Sequence, residues 1–298
     1  MYGKLLLKAP AKINLYLEVG PRRGDGYHRV RTVLQAVEWF DLVELELEPG
    51  NRGIHLEVEG GAPSGEDNLC HRAARLFLET AGISAGVRIR LTKEIPVAAG
   101  LGGGSSDAAA VLRGLEHLSG AGLGKRELFR LASRLGSDVP FFLVGGTALG
   151  EGRGEVVTPV EEAPPFPVVL VNPGKGLSTS EVYRRFDLLP PAEPPAGGPR
   201  PLLDSLAAGD AAGAAAHLYN ALQDAACALL PELAGLLEAA CRSGALGALV
   251  SGSGPTVFML APGREEAELL ASRMGEVAPL VKVSRFCSHG VVIVEPAP

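Results

Sequence analysis

The chain has 298 residues, 46% of them hydrophobic and 21% charged, the balance of a soluble globular protein with room for one large or two medium domains; disorder and fibrous repeats are excluded. Its formal net charge is -6 and neither sign gathers into a long block, which argues against general nucleic-acid binding. An anionic ligand would have to be held by particular loops, through backbone N–H groups and a few local cations.

With 39 glycines and 23 prolines, many connections are expected to be tight turns or stiffened loops. Aromatics are only 5%, so Leu, Val, Ile and Ala must fill the core, and a ring beside a suspected site becomes a candidate for specific contact. Cys70, Cys227, Cys241 and Cys287 show neither Cys-x-x-Cys spacing nor a nearby zinc-finger histidine, and are expected to be reduced and metal-free. The first eleven residues carry lysines at 4 and 8 around a three-leucine run, unlike a secretory segment. No apolar stretch approaches the roughly 20 residues that span a bilayer. A cytoplasmic protein without a membrane partner is the expectation.

Residues 5–8 and 13–19 read as two short strands separated at Ala9-Pro10-Ala11-Lys12, where proline removes a ladder donor. Residues 32–37, 42–47 and 54–58 repeat the strand signal, the last two with the period of a half-buried sheet, and the first third is expected to be rich in antiparallel strands. Asp67 or Asn68 caps a helix running to about 81 with Gly82 as its stop, and 87–92 alternates as a strand. Helices are expected over 105–118 and 125–135, the second closed by Gly136, and a strand over 141–149.

A proline- and glutamate-rich stretch at 159–167 predicts a boundary between domains at 1–160 and 161–298. Residues 187–201 hold six prolines and read as an exposed loop. Residues 202–237 are Ala/Leu-rich and helical, broken near Pro231 and continued over 238–243. A strand pair at 249–260, a helix at 264–274 and a strand at 290–295 complete an α+β protein of two domains without internal repeats.

The strongest local signal is Pro96-Val97-Ala98-Ala99-Gly100-Leu101-Gly102-Gly103-Gly104-Ser105-Ser106-Asp107, entered from a strand and left into a helix. Its four glycines remove every Cβ that would keep a phosphate from the backbone, and the helix aims unpaired N–H groups at it. Neither the P-loop nor the Gly-x-Gly-x-x-Gly spacing is present, so the cradle is of another kind. Asp107, in the first helical turn, suits either a partner of the helix dipole or a magnesium ligand.

This loop, with Pro10-Ala-Lys-Ile-Asn14 before it and Gly252-Ser-Gly-Pro-Thr256 after it, resembles the three motifs of the GHMP small-molecule kinases. The resemblance covers the chain apart from the proline-rich loop near 190–201. It implies an α+β, two-domain architecture with mixed, antiparallel-rich sheets, an ATP-binding N-terminal domain, a substrate-side C-terminal domain and an active-site cleft between them. Lys12-Ile-Asn-Leu, Gly24-Asp-Gly-Tyr-His28 and Gly136-Ser-Asp-Val-Pro-Phe-Phe142 resemble the branch acting on a cytidine diphosphate sugar alcohol in non-mevalonate isoprenoid synthesis.

By that resemblance ATP and Mg2+ are required, Asp138 accepts the proton of the substrate hydroxyl and Lys12 lies beside it. The loop from Pro96 to Ser106 holds the nucleotide phosphates, with Asn68 and Lys93 near the adenosine; locally, Asn68 reads equally well as a helix cap and Lys93 as a strand-end charge. Asn14 contacts substrate near the reacting end. Tyr27 stacks on the cytosine, His28 meets its edge and Tyr183 supplies a second ring, while Arg22 and Arg23 stand ready for the diphosphate. Where many relatives carry an acidic pair, this chain has Asn220-Ala-Leu-Gln223, so no metal ligand is assigned there and the protein ligands of magnesium stay open. A monomer or weak homodimer is expected.

Overall fold

Two strands, β1 (Lys4–Arg22) and β2 (His28–Pro49), run 19 and 22 residues and form the frame of the molecule. A computed structural model describes residues 3–50, 53–190 and 193–294. After β2 come β3 (Gly53–Glu59), α1 (Leu69–Ala81), β4 (Ala85–Thr92), α2 (Gly103–Ser119), α3 (Gly124–Leu135), α4 (Val139–Val144), β5 (Thr147–Glu151) and β6 (Val156–Pro159). The second half holds β7 (Pro167–Asn172), α5 (Thr179–Phe186), α6 (Arg200–Ala207), α7 (Ala211–Ala216), β8 (Tyr219–Asn220), α8 (Gln223–Leu229), α9 (Glu232–Arg242), β9 (Gly247–Val250), β10 (Val257–Leu260), α10 (Arg264–Met274), β11 (Leu280–Arg285) and β12 (Val292–Val294).

The first sheet has the order β12-β1-β2-β4-β3, with β5 and β6 continuing from β2 and β8 pairing with β1. The second sheet, β11-β7-β10-β9, is antiparallel throughout. The first is mostly antiparallel, but β3 runs parallel to β4 and β8 parallel to β1. The fold is thus a mixture of helices and antiparallel-rich sheets.

Where the sequence suggests four short early strands, the chain forms two long ones. The Pro10 break is a shift of register between Pro10 and Ala11, an irregularity that tolerates the missing donor while pairing continues on both sides. Residues 139–144 are helical rather than extended. Pro140 sits in the first turn, where its missing N–H costs nothing, and Phe141 and Phe142 are buried against the helical layer over the first sheet. The Ala-rich stretch 202–243 is four helices, α6 to α9, interrupted at Gly209, at Leu230-Pro231 and by β8, where Tyr219 and Asn220 pair with Tyr16 and Leu17. The final strand begins at Val292; Glu295 lies outside the described residues, as do positions 191 and 192 of the proline-rich loop.

Other elements match their signals. Asn68 caps α1, its Oδ1 accepting from Cys70 N at 2.8 Å, and Gly82 ends it at φ 66°, a left-handed conformation that glycine adopts without cost. Three clusters of buried side chains fill the interior. One lies between the first sheet and α1 to α4. A second joins Ile13, Leu15 and Trp39 to Phe166, Leu170 and Phe258, across both sheets. The third packs the second sheet against α8, α9 and α10. None of the described helices is long and apolar enough to cross a membrane.

Candidate active site

The glycine loop leaves the end of β4 and enters α2. Gly102 occupies the position before the helix at φ 71° with no side-chain cap, so the first N–H groups of α2 stay available to a ligand. Its backbone is clasped from two sides. Lys12 N donates to Leu101 O at 2.9 Å, Thr256 N to Ala99 O at 3.2 Å and Ser251 Oγ to Gly100 O at 2.9 Å. A Cβ at Gly100, where φ is 76°, would collide with Ser251 O. The turn between β9 and β10 is therefore the back support of the glycine loop. Asn220 fastens that turn in place by donating to Val250 O and Gly252 O at 2.7 and 2.8 Å. Pro96 to Gly100, Gly102 to Ser105 and Asp107 face one cleft, whereas Leu101 packs in the core and the Ser106 hydroxyl is buried without a partner.

Lys12 projects from β1 to the foot of this loop. Its buried ammonium donates to Asn14 Oδ1 at 2.6 Å and lies 3.6 Å from Asp138 Oδ2. Asn14 Nδ2 donates to Thr32 Oγ1 at 2.9 Å, and Thr32 in turn to Tyr16 O at 2.7 Å, so a chain of fixed donors and acceptors sets the direction of the ammonium. Residues 12 and 14 share a face because side chains alternate along a strand. Asp138, just before α4, is 37% exposed and opens to the cleft.

Lys93 is at the end of β4, but its ammonium is buried and engages both Asp41 and Asp107. Asp41 Oδ1 also accepts from Glu94 N and Ile95 N at 2.7 and 2.8 Å. Burial alone would lower the Lys93 pKa; the two carboxylates outweigh it and hold it raised. Burial pushes the Asp107 carboxyl up to about 8, with Lys93 opposing and Asp41 adding to the rise. Asp107 Oδ1 has no partner. This triad lies against Gly103 at the start of α2, and because the helix begins at Gly103, Asp107 stands in its second turn and not, as expected, in its first. The Asn68 side chain is occupied as a cap, its Nδ2 donating to Pro63 O at 2.6 Å, though the residue borders the cleft.

The opposite wall is built by the turn from β1 to β2. Asp25 Oδ1 accepts from Tyr27 N at 3.1 Å, and Arg23 N donates to Tyr27 O at 2.7 Å, an Asx-type turn that leaves the Tyr27 ring 54% exposed. His28 points inward. Its Nδ1 faces Gly20 O at 2.9 Å, its Nε2 is 3.1 Å from Asp187 Oδ1, and its ring is 5.2 Å from that of Tyr183. Burial, reinforced by the Asp138 charge, raises the Tyr183 phenol so that it stays neutral. Arg22 reaches the cleft, with its Nε on Gly26 O at 3.2 Å; Arg23 pairs with Asp25 at 3.1 Å.

The cleft-facing part of the glycine loop and the side chains on the two walls border a cavity of about 980 Å³, ample for a nucleotide and a second ligand. Lys12, Asn14, Tyr27, His28, Lys93, Asp138 and Tyr183 are brought to it together. Sequence reasoning missed Thr32, Asp41, Arg153 and Asp187. Asp41 and Thr32 sit in an ordinary strand pattern with nothing to distinguish them, while Arg153 lies within Gly152-Arg-Gly154, a turn signal that was available.

A glycine cradle at a helix start, a buried lysine beside a half-exposed carboxylate and a cavity spanning both describe a phosphotransferase for small molecules. Residues 68–146 match the GHMP kinases N terminal domain and residues 202–280 the GHMP kinases C terminal domain. The chain belongs to the GHMP kinase family and is an ATP-dependent small-molecule kinase. Within that family it groups with 4-diphosphocytidyl-2-C-methyl-D-erythritol kinases. It is 46% identical to that kinase of Pelotomaculum thermopropionicum over 279 residues, 93% of this chain and 96% of the relative. The kinase of the same name from Thermobifida fusca is 42% identical over 301 residues, 98% of this chain and 96% of the relative. A crystal structure of 4-(cytidine 5'-diphospho)-2C-methyl-D-erythritol kinase superposes with a TM-score of 0.79 at 39% identity, covering 95% of this chain and 99% of that one. A homoserine kinase from Cytophaga hutchinsonii, at 22% identity and TM-score 0.78 over 99% of this chain and 98% of that one, shares the fold.

Proposed function

We propose that the chain transfers the γ-phosphate of ATP to the 2-hydroxyl of 4-diphosphocytidyl-2-C-methyl-D-erythritol, a step of non-mevalonate isoprenoid precursor synthesis. The observation that carries the chemistry is the 3.6 Å approach of Lys12 to Asp138 at the foot of the glycine loop. Asp138 takes the proton as the hydroxyl oxygen forms its bond to the γ-phosphorus, and the bond from that phosphorus to the β-bridging oxygen breaks to release ADP. Lys12, held by Asn14, lies beside that carboxylate and stabilises the developing charge on the oxygen.

The nucleotide lies, in this reading, along the cleft-facing residues of the loop, Pro96 to Gly100 and Gly102 to Ser105, with its phosphates on the N–H groups that open α2 and its adenosine toward Asn68 and Lys93. The substrate base stacks between Tyr27 and Tyr183, with His28 at its edge and Asn14 near the reacting hydroxyl. This follows the proposed division near residue 160, ATP toward the N-terminal part and substrate toward the seam.

Mg2+ enters as the companion of the ATP phosphates, whose charge it neutralises when bound. Among the described residues no three His, Cys, Asp or Glu side chains gather as a metal site. Magnesium needs few protein ligands when phosphates and water complete its shell. Ser105, on the cleft wall, supplies a hard oxygen of the required kind.

The test is ADP release with ATP, magnesium and a panel of alcohols: the cytidine compound, 2-C-methyl-D-erythritol 4-phosphate, mevalonate and homoserine. Turnover confined to the cytidine compound is expected. Turnover with another alcohol alone would overturn the substrate assignment.

A further inference from the structure

The turn joining β5 to β6 carries a cation that neither the sequence motifs nor the proposed chemistry uses. Arg153 places its guanidinium over the Tyr27 ring, 4.9 Å from the centroid. The turn is anchored on the same wall, since Val30 N donates to Gly152 O at 2.9 Å. A Cβ at the next residue, Gly154, would lie 3.7 Å from Ser137 Cβ, the immediate neighbour of Asp138. Tyr27, Arg153, Gly154 and Ser137 thus lie in succession along one wall, and all of them border the cleft.

On the proposed reading, the base rests on Tyr27 and the reacting hydroxyl is at Asp138. Whatever links base to sugar alcohol must then cross the span that Arg153 overlooks, and that link is a diphosphate. Among the described residues lining the cleft, Lys12 is engaged with Asn14 and Asp138, Lys93 with Asp41 and Asp107, and Arg184 with Glu181 and Ser180 O, which leaves Arg22 and Arg153. Among the described residues Arg153 pairs with one carboxylate, Glu155 at 3.4 Å, and its side chain is 34% exposed. A guanidinium carries five donors in a plane, so one face can lie on an aromatic ring while the edge meets phosphate oxygens.

We propose that Arg153 is a substrate-binding residue that recognises the diphosphate of a nucleoside diphosphate conjugate while bracing Tyr27. The inference rests on the cytidine reading above and assigns the anionic part of that ligand, in company with Arg22. It makes the site selective for the diphosphate linkage as well as for the base.

The experiment measures competitive inhibition by CDP and by cytidine in wild type, Arg153→Met and Arg153→Gln, alongside the KM for ATP and the thermal midpoint. Methionine keeps an apolar stem against Tyr27, and glutamine a polar plane, and both remove the charge. The preference for CDP over cytidine should narrow about 10- to 100-fold in both variants, with cytidine inhibition and the KM for ATP little changed. An unchanged preference in the variants would overturn the assignment while leaving the cytidine reading intact. Equal weakening of CDP and cytidine would reduce Arg153 to a prop for Tyr27 and overturn the diphosphate contact. If wild type binds neither compound, the cytidine reading fails and this inference falls with it.

Discussion

Lys12 approaches Asp138 to 3.6 Å, yet its short hydrogen bond, 2.6 Å, goes to Asn14. The pair is unequal: the lysine side chain is buried, whereas the carboxylate opens to the cleft. A fixed cation beside an accessible carboxylate suits a proton acceptor placed to meet an incoming hydroxyl.

Asp138→Asn should lower kcat by about 10²- to 10⁴-fold, the usual contribution of a positioned base, with ATP affinity nearly retained. Steady-state kinetics and nucleotide titration check both halves. Wild-type turnover would remove Asp138 from the role. Lys12→Ala should reduce kcat more than ATP affinity, and a loss confined to ATP affinity would make Lys12 a nucleotide ligand.

Asn14 joins Lys12 to the buried Thr32 hydroxyl. Asn14→Ala frees the ammonium from its fixed direction, and kcat is expected to fall about tenfold or more, the equivalent of one charge-assisted hydrogen bond. Thr32→Val acts one link further out and should cost less. Equal kcat values in Asn14→Ala and wild type would separate this chain of hydrogen bonds from turnover.

Lys93 engages two buried acidic side chains, Asp41 and Asp107, beneath the glycine loop. Lys93→Met leaves both without their cation and should destabilise the protein by about 3–5 kcal/mol in urea unfolding. Asp107→Asn retains the pairing of Lys93 with Asp41 and should cost clearly less. A Lys93→Met variant as stable as wild type would show that the triad contributes nothing to the folded state.

Gly100 combines a positive φ of 76° with close approach to Ser251 and Gly254. Gly100→Ala must move the glycine loop off its support, because a Cβ there meets backbone that has no rotamer to yield. The expected result is a KM for ATP raised about tenfold or more and stability lowered by more than about 1 kcal/mol. Unchanged ATP kinetics would mean that the loop adjusts without losing its nucleotide geometry.

Much of this organisation is legible in the sequence where local chemistry decides it. Asn68 and Gly82 mark the ends of α1, and the glycine run before Ser105 marks a strand-to-helix cradle. The failures occur where distant partners decide. Val139 to Val144 has the composition of a strand, but packing of Phe141 and Phe142 under the helical layer makes it a helix. Asp41 belongs to an unremarkable alternating strand, and its bond to Lys93 spans 52 positions, beyond any periodic signal. The contact of Tyr27 with Arg153 is equally nonlocal; it depends on two turns meeting at one wall.

The pairing of β8 and β12 with β1 governs how the cleft can move. Both short strands belong to the second half of the chain, yet both are stitched to the same 19-residue strand that carries Lys12 and Asn14. That strand is a spine shared by both sides, and a clamshell opening would have to tear its ladders apart. Substrate entry must instead be a matter of the rim: the turn bearing Tyr27, the turn bearing Arg153 and the α5 segment bearing Tyr183 yield, while the lysine and carboxylate keep their spacing.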